Sequence, residues 1–578
     1  MDKNESLYNY GFYISIGFMI LDVYFSVVLA QNIGERYYLM LISVPFLIAL
    51  AIYFRRGFKK AKCLNFIKRE WGTKQKRKRN FKTISEFHKL VSELDRSKFY
   101  IDDQTWQDLT MDEVYEILDR TLSKTGEHAL YNLLRTPSFD EAEIKKRSVI
   151  IDFFRNNANV REKFQYAFYN LGREKNNGVI TLLWGKEIPV IKANIFFYIM
   201  SGMAVVSIIS LPVLGLGVGA LLIVTMFFCN FAIHGLSKRV ISGDIPSIGR
   251  IGGMIKTAQV IKGIEEPVLK EKMDALKKSY NACSYISKRT MSLGRVEGID
   301  IITDYFSIFF LLDEVSYFSA IKGINKYREE LRNIYSILGE LDAYISLASY
   351  RDELVNFVEP EFTYSGPKIE VVDGRHPLIV EAVPNTIRLT RGGIILTGSN
   401  MSGKSTFLRM LGVNALLAQT ISTCLATSYK ASLLKVLTSI SPSDNIMGGK
   451  SYYLGEAEAL LRIIKSSEDN IPSLCMIDEI FRGTNPVERV SAAAEILDYL
   501  PDHNAMTIAA THDIELTEMV KNHYECYYFT EDVGERGLIF DYKIRKGISK
   551  TRNAIKVLKF LGYPDEIIDK ANERLNHI

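Results

Sequence analysis

The run Gly393–Thr406, GIILTGSNMSGKST, holds the residues best suited to chemistry. Gly398 and Gly403 bracket four residues and are followed by Lys404 and Ser405, so the stretch reads G-x-x-x-x-G-K-S. Ile394–Leu396 predict a short buried strand before this loop, and Thr406–Leu417 predict a helix after it. A glycine loop between a strand and a helix turns its backbone N–H groups, and the positive end of the helix, toward one point where phosphates fit. Lys404 would neutralise the β- and γ-oxygens of ATP, and Ser405 would ligate Mg²⁺. Gly398, Ser399, Asn400, Met401, Ser402, Gly403, Lys404, Ser405 and Thr406 are therefore the candidate nucleotide-binding residues.

Two further strand ends carry acids and a histidine. Leu474–Glu479 (LCMIDE) is an apolar run that closes on two carboxylates. Asp478 would hold the metal with Ser405, and Glu479 would polarise the attacking water. Thr507–His512 (TIAATH) predicts a third strand ending in His512, which would sense the γ-phosphate or orient the water; an ordinary surface histidine is the bland alternative. Other chemistries find little support. Six cysteines are scattered with no C-x-x-C pair, against a zinc ribbon or a disulfide framework, and a reducing compartment suits them. His128 and His234 stand alone and read as structural.

The rest of the 578-residue chain must position these groups. Gly11–Ala30, Tyr37–Phe54, Ala193–Leu211 and Val213–Ile233 are nearly wholly apolar. Each is close to the ~20 residues that cross a bilayer core, so four spans in two hairpins are expected, the second turning at Pro212. A buried core hairpin is the alternative for that second pair. The start, MDKNESLYNY, does not look like a cleaved signal peptide. Asp22 is costly inside a span unless it faces a partner helix or an interface. Arg55–Lys82 carries thirteen Lys and Arg against the single Glu70, leaving the remainder of the chain net acidic. Directly after an apolar hairpin, such a run reads first as a positive-inside anchor beside anionic membrane lipid, with a nucleic-acid arm or a solvated linker as alternatives. It places the ATPase part in the cytoplasm, under an inner membrane crossed several times. About 101–187 and 240–358 have few Gly or Pro and apolar spacing of three and four, hence helices; Lys322–Arg351 reads as one long helix or a broken pair.

TGSNMSGKST closely resembles the P-loop of the MutS family of DNA mismatch repair ATPases, typically TGPNMGGKST. MIDEIFRGTNPVERVSAAAEIL resembles that family's DELGRGT segment and following helix, and ATHDIELTEM resembles its histidine-bearing strand end. Asp373–Pro377 (DGRHP), Ser441–Glu456 (SPSDNIMGGKSYYLGE), Ala418-Gln419 and Gly562–Ala571 also fit its pattern, and LDRTLSKTGEHALYNLLRTP resembles its lever. The likeness covers roughly 101–187 and 240–571 and is strongest after Asp373. It departs at Ser399 and Ser402, at Phe481 in place of a Gly, and at Glu488-Arg489 in place of Asp-Gly. No segment corresponds to the family's mismatch-reading wedge, connector or full DNA clamp.

The resemblance implies an α/β P-loop NTPase of the ABC-like, MutS domain V type, joined to a mostly helical lever region. It implies ATP and Mg²⁺, and a homodimer through the ATPase domains in which Ser451 reaches the γ-phosphate of the facing protomer and Asn400 helps to bind nucleotide. The expected organisation is a membrane hairpin at 1–56, a basic juxtamembrane linker at 57–98, lever parts at 99–188 and 239–358 around a second hairpin at 189–238, the ATPase domain at 359–571 and a tail at 572–578. Two functions stay open: ATP-driven dimer closure that moves the levers on DNA, or a mechanochemical ATPase acting on a protein partner in the membrane. A transporter is less well supported, since four spans are few and Asp22 is the one polar feature within them.

Overall fold

The computed structural model describes residues 3–576 except 175, 187–193, 242, 291–300, 365, 391, 400–401, 441–451, 482–484, 535–536, 549–554, 556–557 and 559–561. They divide into two compact units.

The unit formed by Arg77–Asp119, His128–Asp152 and Tyr350–Ile578 is built on a six-stranded sheet. Its order is Arg545–Lys546, Tyr524–Tyr528, Gly393–Thr397, Ala505–Ala510, Ser473–Asp478, Lys435–Ser439. All neighbours are parallel except the first pair. The four strands from Gly393–Thr397 to Lys435–Ser439 are buried at every residue, which is why they read as unbroken apolar runs and not as alternating ones. Register sets Leu396 and Asp478 on either side of Ala510, so three strand ends finish level. A second sheet of four strands, Glu361–Phe362, Ser428–Ala431, Ile369–Gly374 and Asn385–Leu389, precedes and flanks this chain segment in sequence.

Helix Lys404–Ile421 is almost wholly buried. At Gly412 an added Cβ would fall 2.6 Å from Leu109 Cδ2 and 2.7 Å from Met476 Cε, so a larger residue there would displace these two side-chain ends. The short helix Asp103–Asp108 joins the same core through Asp108. Its carboxylate accepts from Thr438 Oγ1 at 2.7 Å and Ile440 N at 2.9 Å, while Arg409 Nε donates to its carbonyl at 2.8 Å. The far end of Lys404–Ile421 is closed by Arg351, which is fully buried. Its guanidinium donates to the carbonyls of Ile421 and Ser422, to Thr423 Oγ1 and Ser148 Oγ, and to Asp152, all at 2.8–3.0 Å. A planar five-donor cation is suited to the orphan carbonyls of a helix C-terminus.

The other unit comprises Met1–Lys76, Arg120–Glu127 and Phe153–Ser349. Helices Lys3–Asn32 and Val44–Glu70 lie antiparallel: a Cβ at Gly11 would meet the Phe54 ring at 2.6 Å, and one at Gly57 the Tyr8 ring at 2.5 Å. Asp22 faces inward, accepting from Ser43 Oγ across the turn. Among the described residues three helices, not the expected four, are long and apolar enough to cross a membrane by length and composition: Glu5–Asn32, Glu35–Glu70 and Ile195–Lys238. The expected second pair is one element, Asn194–Ile241, which carries Pro212 within it and breaks at Gly215 (φ 80°, ψ 164°). A Cβ at Gly219 would lie 2.6 Å from Leu211 Cα, whereas eight residues of straight helix span about 12 Å. The element therefore doubles back, at Gly215 and not at Pro212, because glycine accepts the left-handed backbone that the bend needs.

Helix Val44–Glu70 runs straight on from apolar sequence into the basic run, which is thus helical over its first half. Arg77 and Arg79, in the first unit, are spent on Asp119, a fully buried carboxylate that both guanidinia contact. Lys322–Arg351 resolves as a broken pair, Leu312–Lys326 and Arg328–Glu353, parted at Tyr327. His128 is buried, stacked on Phe87 and within 3.2 Å of the Thr83 carbonyl, while His234 Nδ1 lies 2.9 Å from Glu314 Oε1.

Asp342 organises the start of helix Lys124–Arg135. It accepts from Ser123 N at 2.8 Å, Leu122 N at 3.1 Å and Ser123 Oγ at 2.5 Å, satisfying free amides with a negative charge at the positive end of a helix. Asp342→Ala orphans these buried donors and is expected to cost about 3 kcal/mol, read as a fall in thermal unfolding temperature of the detergent-solubilised chain. An unchanged midpoint would contradict that role.

Candidate functional site

The loop between strand Gly393–Thr397 and helix Lys404–Ile421 is shaped by its two glycines. Gly398 (φ +142°) and Gly403 (φ +111°) take backbone angles that side chains disfavour, and a Cβ at Gly398 would lie 2.9 Å from the Phe529 carbonyl. Lys404 opens the helix and is buried. Its ammonium folds back over the loop, donating to the carbonyls of Gly398 at 2.7 Å and Ser399 at 2.8 Å, with His512 Nε2 at 3.4 Å. Ser405 Oγ donates to Asp478 Oδ2 on the neighbouring strand end. Glu479 Oε1 and His512 Nε2 are 3.0 Å apart. Ten of the thirteen expected residues (Gly398, Ser399, Ser402, Gly403, Lys404, Ser405, Thr406, Asp478, Glu479 and His512) thus lie on this loop, the helix that follows it and the neighbouring strand ends. Asn400, Met401 and Ser451 lie outside the described residues.

A cleft of about 860 Å³ opens here, lined by Ser399, Gly403–Phe407, Arg409, Asp478 and Glu479 and also by His376, Ile379, Val383, Phe529 and Tyr542. The lining combines polar and cationic groups with apolar and aromatic ones, which suits a ligand carrying both phosphates and a flat ring. Ser399 Oγ is buried with no partner among the described residues, so the loop retains an unused hydrogen-bonding group. No cluster of three His, Cys, Asp or Glu ligands occurs among the described residues. The hydroxyl–carboxylate pair Ser405–Asp478 fits instead a magnesium ion that takes few protein ligands and keeps phosphate and water for the rest.

Several contributors were not evident as site residues in the sequence. His376 and Arg409 line the cleft although they come from the DGRHP segment and from one turn into the helix. Arg489, at an expected point of departure, forms a two-pronged ion pair with Asp513 (2.6 and 3.0 Å), and so ties helix Pro486–Asp502 to the residue after His512. Phe481, the residue in place of a glycine, has φ +59°, and Glu479 has φ +58°. A left-handed phenylalanine costs about 1–2 kcal/mol. Burial of its ring in the core cluster, 5.3 Å from the Tyr453 ring, offsets this.

Burial, reinforced by the positive charge of Arg409, pushes the His376 imidazole down to about 4. Burial likewise pushes His88 to about 4. The unfolded chain takes up these protons below its ordinary value near 6.5 while the folded chain refuses them. The stability the neutral rings confer is therefore complete above pH 6.5 and is lost as pH falls toward 4. His376→Gln is expected to flatten the decline of unfolding temperature between pH 6.5 and 4, by up to about 3 kcal/mol at the acid end. Identical pH profiles for both proteins would contradict the assignment.

Comparison with known proteins falls on this same region. Residues 394–578 match the model of MutS domain V. DNA mismatch repair protein MutS of Thermus aquaticus is 32% identical over 267 residues, covering 46% of this chain and 32% of that protein. The MutS proteins of Petrotoga mobilis and Thermotoga maritima are each 32% identical, over 280 and 275 residues, again covering 46% of this chain and 34% of theirs. The chain spans about a third of the length of these curated relatives. A glycine loop between a strand and a helix, acidic and histidine strand ends level with it, and a matching domain model together make residues 394–578 of this chain a MutS domain V.

Proposed function

We propose that this protein is a membrane-anchored, magnesium-dependent ATPase in which two copies close on ATP through their domain V modules, and that this closure moves the helical segments. The observation that carries the reading is the meeting of Lys404, Ser405, Asp478, Glu479 and His512 at the level ends of three adjacent parallel strands. Ligands of open α/β sheets bind at that edge.

The residues divide the work. Backbone amides of Gly398–Thr406 and the first turn of helix Lys404–Ile421 would hold the phosphates. Lys404 would exchange its two bonds to the Gly398 and Ser399 carbonyls for phosphate oxygens. Ser405 and Asp478 would part to hold magnesium, which supplies charge neutralisation on the β- and γ-oxygens when bound. Glu479 would orient and polarise the attacking water, with His512 fixing the carboxylate from 3.0 Å. The aromatic residues of the cleft would take the base. Asn400, and Ser451 from the facing copy, belong to the same proposal on the strength of the family resemblance.

Membrane residence rests on the three long apolar helices, most of whose residues are exposed in the folded chain, and on the basic residues that follow the first hairpin. The relatives' name points to DNA as the target of closure. A protein partner within the membrane is the second reading. It is favoured by Arg77 and Arg79, two cations of the basic run, which are committed to the buried Asp119 and so withdrawn from any phosphate backbone.

Lys404→Ala is expected to weaken ATP binding about a hundredfold or more, since it strips the buried cation from the phosphates. Glu479→Gln is expected to keep binding while turnover falls by about 10²–10⁴. Equilibrium nucleotide binding and phosphate release measured on the same preparations separate the two effects. Normal hydrolysis by Glu479→Gln would remove Glu479 from its role.

A further inference from the structure

A second cleft, of about 1030 Å³, opens between the first turns beyond the apolar part of helix Val44–Glu70, helix Ala158–Leu171 and helix Ile245–Ile261. Arg56, Lys59, Arg250 and Lys256 line it, and no Asp or Glu is among its described lining residues. Arg56, Lys59 and Lys256 make no ion pair or hydrogen bond among the described residues, while Arg250 donates to the Leu171 carbonyl at 2.9 Å. Of the acidic groups bordering the cleft, Glu174, whose carboxylate interacts with Arg250, accepts from Ser247 Oγ at 3.3 Å, and Asp244, at the start of helix Ile245–Ile261, accepts from Tyr317 Oη at 3.0 Å. Gly253 leaves the floor open, and Tyr166 adds a phenol to the wall. The first turn of the 17-residue helix Ile245–Ile261 also borders the cleft, adding the positive end of its dipole.

Four converging cations without a carboxylate describe an anion site, and its position narrows the anion. Arg56 follows the apolar run that ends at Phe54 by two residues, and Ile245 follows the doubled-back apolar element ending at Ile241 by four. The cleft therefore lies where both apolar elements leave their greasy surface. It is far larger than a phosphate ion needs, and the apolar Ile245 and Val260 form part of its rim. We infer that this cleft binds the phosphate-bearing headgroup of an anionic membrane lipid. Lys and Arg held at such a level attract anionic lipid strongly, and basic pockets between membrane helices select headgroups of this kind. The inference rests on the membrane residence proposed above.

The test uses the detergent-purified full chain and dihexanoyl phosphatidylglycerol as probe, with dihexanoyl phosphatidylcholine, inorganic phosphate and a duplex oligonucleotide as comparison arms. The wild type is expected to bind the phosphatidylglycerol in preference to the phosphatidylcholine. Each charge removed in Lys256→Gln and in the triple variant Arg56→Gln, Lys59→Gln, Lys256→Gln is expected to weaken that binding about fivefold. Arg250 is left in place because it also holds the Leu171 carbonyl, and unchanged ATP turnover confirms that the variants fold. Equal binding by wild type and triple variant would overturn the inference. So would inorganic phosphate binding as tightly as the lipid, which assigns a free-anion site, or duplex bound through these same residues, which assigns a nucleic-acid surface. Carbonate washing of native membranes keeps the two proposals apart. A chain that washes off defeats membrane residence and the inference together; a chain that stays but shows no lipid preference defeats the inference alone.

Discussion

Parallel register is the constraint on which the site depends. Strand Gly393–Thr397 pairs with Ala505–Ala510, and Ala505–Ala510 with Ser473–Asp478, in registers that end the three strands level. Slide one of them by two residues and Asp478 moves nearly 7 Å from Ser405, and the hydroxyl–carboxylate pair is gone. Burial of every residue in these strands holds the register, because no polar face exists to compensate a slip. The arrangement is thus a consequence of sheet packing: a loop with two glycines brings the cation, one apolar strand delivers both acids to it and a second delivers the histidine.

Long-range polar contacts secure that sheet and its main helix. Asp108 stitches helix Asp103–Asp108 to Thr438 and Ile440 next to the edge of the sheet, and Arg409 returns from the cleft side to the Asp108 carbonyl. Arg409 therefore couples the cleft wall to a helical segment more than 300 residues away in sequence. Arg351 performs the corresponding task at the opposite end of Lys404–Ile421. Asp108 and Arg351 are buried groups whose partners are numerous and well placed, the circumstance in which a buried charge is tolerated.

The candidate site was legible in the sequence because its signals are local. G-x-x-x-x-G-K-S, an apolar run into Asp478-Glu479 and another into His512 each fit within ten residues, and the strand–loop–helix context follows from short periodicities. Groups defined by tertiary contact were not legible. Nothing near Arg351, Asp342 or Asp119 in sequence reveals that each is a buried hub, since their partners lie tens to hundreds of residues away. His376 entered the cleft wall for the same reason. The four expected apolar stretches resolve into three apolar elements among the described residues, and the turn expected within the last of them was misplaced. Proline is a visible helix breaker, yet the bend fell three residues later, at a glycine able to adopt φ 80°. The basic run was legible as charge but not as structure: part of it continues a helix, part lines a cleft and part neutralises Asp119.

Central to the account is a triphosphate held by the Gly398–Thr406 loop with magnesium between Ser405 and Asp478. Isothermal titration of the full chain with ATP, with and without magnesium, tests it most directly. Saturable binding of one ATP per chain, tightening when magnesium is added, is expected. Absence of any ATP-dependent heat in the presence of magnesium, from a preparation that unfolds cooperatively, would contradict it.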